Sequence, residues 1–161
     1  MKIYLGADHA GYNLKEKIKT WLDEWGIEYE DMGAHEYDKS DDYPDFIKPV
    51  AKAVSNDPEE ARGIILGFNG QGEAIAANRF DNVRAAVYYG EPENISEEGQ
   101  QRKDKPHNMI ILSREDDNTN ILSLAAGFLA DDQAEEAIKL WLDTPFTGEE
   151  RHKRRIKKID E

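Results

Sequence analysis

The sequence has no cysteine at all. That absence removes a disulfide framework, a thiolate metal site and a cysteine nucleophile together, and it fits a cytoplasmic enzyme. Histidine is scarce: the four residues His9, His35, His107 and His152 show no metal-ligand spacing, so no zinc site is expected. No apolar run is long enough for a membrane span, and the N-terminus enters a strand directly, without a signal peptide. Positive charge is also short, with 21 Lys and Arg against 34 Asp and Glu and a net charge of −13. Residues 151–161 hold six basic side chains against two acidic ones, a local +4 that leaves −17 for the rest. Such a balance argues against nucleic acid as a partner. At 161 residues, with no internal repeat or low-complexity segment, the chain reads as one domain, residues 1–161, with a proper core.

What is present centres on Gly63 to Asn78. Ile64, Ile65 and Leu66 read as a buried parallel strand. The strand breaks into a loop with Gly67, Gly70 and Gly72, which feeds the Ala-rich helical segment Glu73 to Asn78. Strand, glycine-rich turn and helix together aim backbone N–H groups at an anion, and glycine lets the chain approach that ligand closely. Glu73 stands at the mouth of the cradle. It either complements the helix dipole in the first turn or serves as a general base beside a stabilised oxyanion.

Around this centre the pattern alternates. Strands are expected at Lys2–His9, Ile27–Met32, Val83–Tyr88 and Asn120–Leu124. Helices are expected at Asn13–Trp25, from Asp42-Tyr43-Pro44 through Val54, at Asn108–Arg114 and at Asp131–Leu142. The polar second strand belongs near a sheet edge. A polar loop is expected at 90–108 and a basic C-terminal helix at about 148–159. Strands alternating with helices imply βαβ units and a parallel sheet covered on both faces, with ligands at the carboxyl ends of the strands. Asp8 with His9, the glycine loop with Glu73, and the residues flanking the last strand are therefore the candidate groups.

Each has an ordinary explanation. Asp8 and His9 fit a capping Asp with an incidental His, or an imidazole that donates to a phosphate or moves a proton. Arg151 and Arg155 lie at i and i+4 on one helical face, as a solvated basic stripe or a clamp on a phosphate. The glycine loop is neither the dinucleotide G-x-G-x-x-G nor a P-loop, so nucleotide binding is a poor reading of it.

Four motifs then bear a resemblance. Gly6-Ala7-Asp8-His9-Ala10-Gly11-Tyr12, Asp41-Asp42-Tyr43-Pro44, Gly70-Gln71-Gly72-Glu73-Ala74-Ile75-Ala76-Ala77-Asn78-Arg79 and Arg151-His152-Lys153-Arg154-Arg155 occur in the order found in the type B ribose-5-phosphate isomerases. That family also holds galactose- and allose-6-phosphate isomerases. The resemblance implies a single-domain three-layer α/β/α sandwich with a five-stranded parallel, Rossmann-like sheet. It implies a homodimer with active sites shared between subunits, a phosphorylated sugar as substrate, and neither metal nor organic cofactor. Many members carry a catalytic Cys where this chain has Gly67; another branch uses a Glu just after the loop, and this sequence resembles that branch. By the family pattern Glu73 is the base, the backbone of Phe68, Asn69, Gly70, Gln71 and Gly72 forms the anion hole, Asp8 and His9 contact substrate, and Arg151 and Arg155 grip phosphate.

Two positions depart from the pattern. The family's ring-opening His and the Asn that follows it, a substrate contact, are replaced by Asp116 and Asp117, and a phosphate-binding Arg is replaced by Gly127. Asp116 is thereby only a positional candidate for the acid. The 90–108 loop offers Arg102, Lys103, Lys105 and His107 as groups that refill the site from a new direction. The expected activity is ribose 5-phosphate to ribulose 5-phosphate isomerisation. Isomerisation of another phosphorylated aldose, or a catalytically silent sugar-phosphate-binding homologue, is the alternative.

Overall fold

The computed structural model of the chain describes residues 1–92, 96–101, 108–159 and 161. Five strands, β1 (Lys2–Ala7), β2 (Tyr29–Asp31), β3 (Ala61–Gly67), β4 (Ala85–Tyr88) and β5 (Ile121–Ala125), form one sheet in the order β2-β1-β3-β5-β4. Every pairing is parallel. The helices are α1 (Tyr12–Glu24), α2 (Pro44–Asn56), α3 (Gln71–Ala77), α4 (Glu97–Gln101), α5 (Met109–Glu115), α6 (Asp131–Asp143) and α7 (Glu150–Lys157).

The strand pattern fixes the layers. Successive side chains of a strand point to opposite faces, so a buried run must meet helices on both. Ile64, Leu66, Leu122 and Leu124 pack with Leu14, Ile18 and Leu22 of α1 and with Ile138 and Trp141 of α6. Ile65 and Ile121 point the other way, into Ile47, Val50, Ala51 and Val54 of α2 and Ala77 of α3. The central strands β3 and β5 are buried almost throughout, whereas the polar β2 lies at one edge, as its composition indicates.

Most element ends shift by a few residues from the sequence pattern, and three differences have a local reason. The polar stretch 90–108 is not all loop, since it contains the short α4. Asn108 caps α5 rather than joining it: its side chain accepts the Ile111 N–H at 3.0 Å. The basic helix is shorter than 148–159, because Gly148 takes φ +67°, outside the helical region.

Strand order reverses beside β1, which has β2 on one side and β3 on the other. The loops leaving β1 and β3 therefore diverge and open a crevice at the carboxyl end of the sheet, where ligands of such folds sit. One wall is held by a buried charge network. Lys15 is fully buried, with Nζ 2.6 Å from Asp31 Oδ2 and 3.0 Å from Glu16 Oε1. Lys19 reaches the same Asp31 oxygen at 3.1 Å. Burial alone would raise the Asp31 carboxyl; the bonds from Lys15, the Gly33 N–H and Lys19 outweigh it and hold the group below its ordinary value.

Removing one partner of a buried pair leaves the other charge uncompensated. Asp31→Ala is expected to lower unfolding free energy by about 3 kcal/mol in a denaturant titration. Because the Asp31 pKa is depressed in the fold, its contribution is present at neutral pH and disappears as pH falls through the folded value. The difference between parent and variant should therefore narrow in acid. A loss that is small and independent of pH would show that the network does not brace the edge strand.

Candidate active site

Gly67 ends β3 and meets Ala125 across the sheet. Its carbonyl accepts the Ala126 N–H at 2.9 Å, and the Phe68 carbonyl accepts that of Gly127 at 2.9 Å. Gly70 takes φ +70°, and its carbonyl accepts the Ser123 hydroxyl at 2.7 Å. That anchor was signalled by a lone polar residue inside the apolar run of β5. The Gln71 N–H is held by Asn69 Oδ1 at 3.0 Å, so this member of the expected anion hole already has an internal partner.

Glu73 lies in the first turn of α3 and is 4% exposed. A carboxylate that only complemented a helix dipole would face water; this one is turned inward. It fills the space over Gly67, where even a methyl carbon would overlap Oε1 and Cδ. Oε2 is buried with no hydrogen-bond partner among the described residues. Burial raises the Glu73 pKa; its own N–H opposes the shift and the charge of Asp8 adds to it.

Asp8 and His9 follow β1 and face the same crevice. Asp8 Oδ1 accepts the N–H groups of Ala10 (3.0 Å) and Gly11 (3.2 Å), the capping contacts its position suggests. Burial nevertheless keeps its pKa raised. His9 Nδ1 lies 2.6 Å from Asp41 Oδ1 and 4.0 Å from Asp8 Oδ2, and the His9 N–H donates to Asp41 Oδ1 at 3.1 Å. The Asp41 bond, partly opposed by desolvation, raises the His9 pKa. Asp41 is a site residue that reading the chain in order missed, because 32 residues separate it from His9. Donor atoms of Asp8, His9 and Asp41 lie within 4.8 Å of one another, a proximity no sequence interval announced. Tyr43, from the same segment, packs its ring against the bare face of Gly72.

The remaining expected site residues lie elsewhere. Asp116 and Asp117 precede the amino end of β5, while Glu73 follows the carboxyl end of β3. Five residues of strand between the two ends correspond to about 13 Å. With them sits α7. His152, buried, has Nε2 3.4 Å from Asp116 Oδ1 and 3.1 Å from Arg151 Nε, and Arg151 also pairs with Glu149 at 2.7 Å. Partial burial and the charge of Asp116 raise the Asp117 pKa, with His152 and Arg155 opposing. Within one chain the candidates thus form two groups, Asp8, His9, the glycine loop and Glu73 at one end and Asp116, Asp117, Arg151 and Arg155 at the other. Arg102, Lys103, Lys105 and His107 lie outside the described residues.

Gly127 has a local explanation. A side chain there would start 2.5 Å from the Phe68 ring and 2.9 Å from the Phe68 carbonyl. Phe68 stacks edge-on with Phe128, which also meets Tyr89. Tyr89 in turn accepts a bond from Gln71 Nε2 at 2.7 Å. Aromatic surface covers the place from which an arginine would project.

A parallel α/β sheet that sets a glycine-rich loop beside a buried carboxylate has the parts that proton transfer next to a developing negative charge requires. Comparison with known proteins makes this specific. The model of the ribose/galactose isomerase family matches residues 3–104 and 105–159, and the chain belongs to that family. It is 35% identical to the ribose-5-phosphate isomerase B of Mycobacterium tuberculosis H37Rv over 156 residues, covering 97% of this chain and 86% of that protein. It is also 35% identical to the putative sugar phosphate isomerase YwlF of Bacillus subtilis over 161 residues, covering 100% and 96%. Among solved structures, Mycoplasma genitalium ribose-5-phosphate isomerase B with bound ribulose 5-phosphate superposes with a TM-score of 0.86 at 31% identity, covering 99% of this chain and 93% of that one. The Clostridium thermocellum isomerase gives 0.84 at 38% identity, covering 99% and 95%.

The state of Glu73 has a measurable consequence. Its folded pKa lies above the unfolded one, so its contribution favours the fold when protonated and is lost as pH rises through the folded value. Glu73→Gln should therefore raise the melting temperature at pH 7 to 8, with a gain that shrinks toward pH 4. A variant no more stable than its parent at pH 8 would mean that the carboxylate is not strained by burial.

Proposed function

We propose that this protein is a sugar-phosphate aldose–ketose isomerase that interconverts ribose 5-phosphate and ribulose 5-phosphate, with Glu73 as the proton-transferring base. The observation that carries the reading is the Glu73 carboxylate, buried in the space over Gly67 and held beside the glycine loop. Isomerisation takes a proton from C2 of the aldose, passes through an enediolate and returns a proton to C1. A base for that task works best with a pKa nearer neutrality, which burial supplies here. The enediolate oxygen needs preorganised donors, and backbone N–H groups of the glycine loop other than that of Gln71 suit it. With the cysteine position occupied by glycine and no cysteine in the chain, the Glu-dependent branch is the one the residues support.

The phosphate end requires a second chain. Arg151 and Arg155 lie at the opposite end of the sheet from Glu73, so one subunit cannot supply both to a five-carbon substrate. A homodimer in which α7 of each subunit faces the crevice of the other resolves this, with Asp116 and Asp117 approaching from the same side. Arg151 is half-exposed and Arg155 exposed, as groups awaiting a ligand in trans should be.

Glu73→Gln should lower turnover on ribose 5-phosphate by at least ~100-fold while sugar-phosphate binding persists, the scale of general-base catalysis. Near-parental turnover would remove Glu73 from the mechanism, and no turnover by the parent on any aldose phosphate would remove the activity itself.

Sharing between subunits is tested by mixing. Glu73→Gln and the double variant Arg151→Ala, Arg155→Ala are each expected to be nearly inactive. Refolded together, they should form dimers with one intact site in half the population, restoring roughly a quarter of parental activity. No recovery, with dimer exchange verified by mass spectrometry, would place both groups in one subunit or outside the site.

A further inference from the structure

Aldopentose 5-phosphates exist in water largely as furanose rings, so an isomerase acting on them benefits from an acid for the ring oxygen before Glu73 can act. At Asp116 stands a carboxylate, 3.4 Å from the buried His152. The other end of the sheet holds a better-placed group. We propose that His9, held by Asp41, is the ring-opening acid, acting in the same subunit as Glu73. The proposal rests on the isomerase reading above.

Asp41 is 8% exposed at its side chain, and one of its oxygens takes both His9 Nδ1 at 2.6 Å and the His9 N–H at 3.1 Å. Its other oxygen is buried without a hydrogen-bond partner among the described residues. A buried carboxylate short of partners is costly unless its neighbour carries positive charge, and His9 is the neighbour that can carry it. The bond to Nδ1 fixes the ring, so Nε2–H points away from Asp41. The His9 side chain is one-third exposed, which leaves it open to a ligand. The groups facing it are Asp8 on its own loop, Asp38, Asp41 and Tyr37 on the loop before α2, and, through Asp8, Glu73 of α3. All the nearby charges favour the protonated form.

In the step itself, Nε2 gives its proton to the ring oxygen O4 as the C1–O4 bond breaks and its electron pair moves to O4. The C1 carbonyl forms as the O1 proton passes to the Asp8 carboxylate, whose second oxygen faces His9 across 4.0 Å. Asp8 then loses that proton to solvent and His9 regains one, so no net proton is consumed. Asp41 touches no substrate; it is a positioning residue.

Asp41→Asn separates these roles. Ring opening matters for net conversion of cyclic ribose 5-phosphate. Exchange of the C1 proton of ribulose 5-phosphate into deuterated water needs only Glu73 and the enediolate, and NMR reads it directly. Net conversion should fall about tenfold or more beyond any fall in exchange. The acid must be protonated, and loss of the Asp41 charge lowers the His9 pKa, so the basic limb of the conversion profile should also move to lower pH. Equal losses in conversion and exchange, or a basic limb that stays in place, would overturn the assignment and leave Asp41 a structural residue. If the parent shows neither exchange nor conversion, the isomerase reading fails and this assignment falls with it.

Discussion

The contact on which the site depends is that between Glu73 and Gly67. A carboxylate with 4% exposure is unfavourable in a protein interior, and it persists because the chain leaves it a place: the bare α-carbon that ends β3. Any side chain at position 67 would occupy that volume. The two positions therefore form one unit, in which a glycine on the strand and a glutamate six residues on share one space. The same burial that makes Glu73 costly to the fold raises its pKa, which is what the proposed role as base calls for.

The sheet supplies the rest of that end of the molecule. Because β1 and β3 are neighbours whose following loops diverge, Asp8, His9 and Glu73 share one crevice although more than 60 residues separate the first from the last. Asp41 and Tyr43 enter from the segment before α2. A net charge of −13 has its local counterpart here, where Asp8, Asp41 and Glu73 lie close together. The charge of Asp41 adds to the raised pKa of Asp8, that of Asp8 adds to the raised pKa of Glu73, and both favour positive charge on the one imidazole among them. An anionic substrate in such surroundings needs cations from elsewhere, which is the electrostatic reason for the proposal that its phosphate is held by Arg151 and Arg155 of a second subunit.

The replacement of an expected arginine by Gly127 follows similar logic. Phe68 lies over that position, joined to Phe128 and Tyr89 in an aromatic group beside the cradle. Restoring an arginine at 127 alone would force the Phe68 ring aside, so the two positions have to change together.

The fold class was legible in the sequence, and so was the central buried strand. Ile64–Leu66 announced a buried parallel strand, because burial on both faces of a sheet leaves a continuous apolar run. The polar β2 announced an edge. The glycine loop with Glu73 was visible as a unit because its residues are consecutive and constrained by backbone geometry. Chain order could not decide whether Glu73 faces water or the interior; the packing over Gly67 decided that. Nor could it pair His9 with Asp41, or show that Asp116, Asp117, Arg151 and Arg155 lie at the far end of the sheet from Glu73. Local pattern encodes which residues are buried and which turn. Proximity across tens of residues is set by strand order and by which end of each strand a loop leaves, and only the folded sheet fixes those.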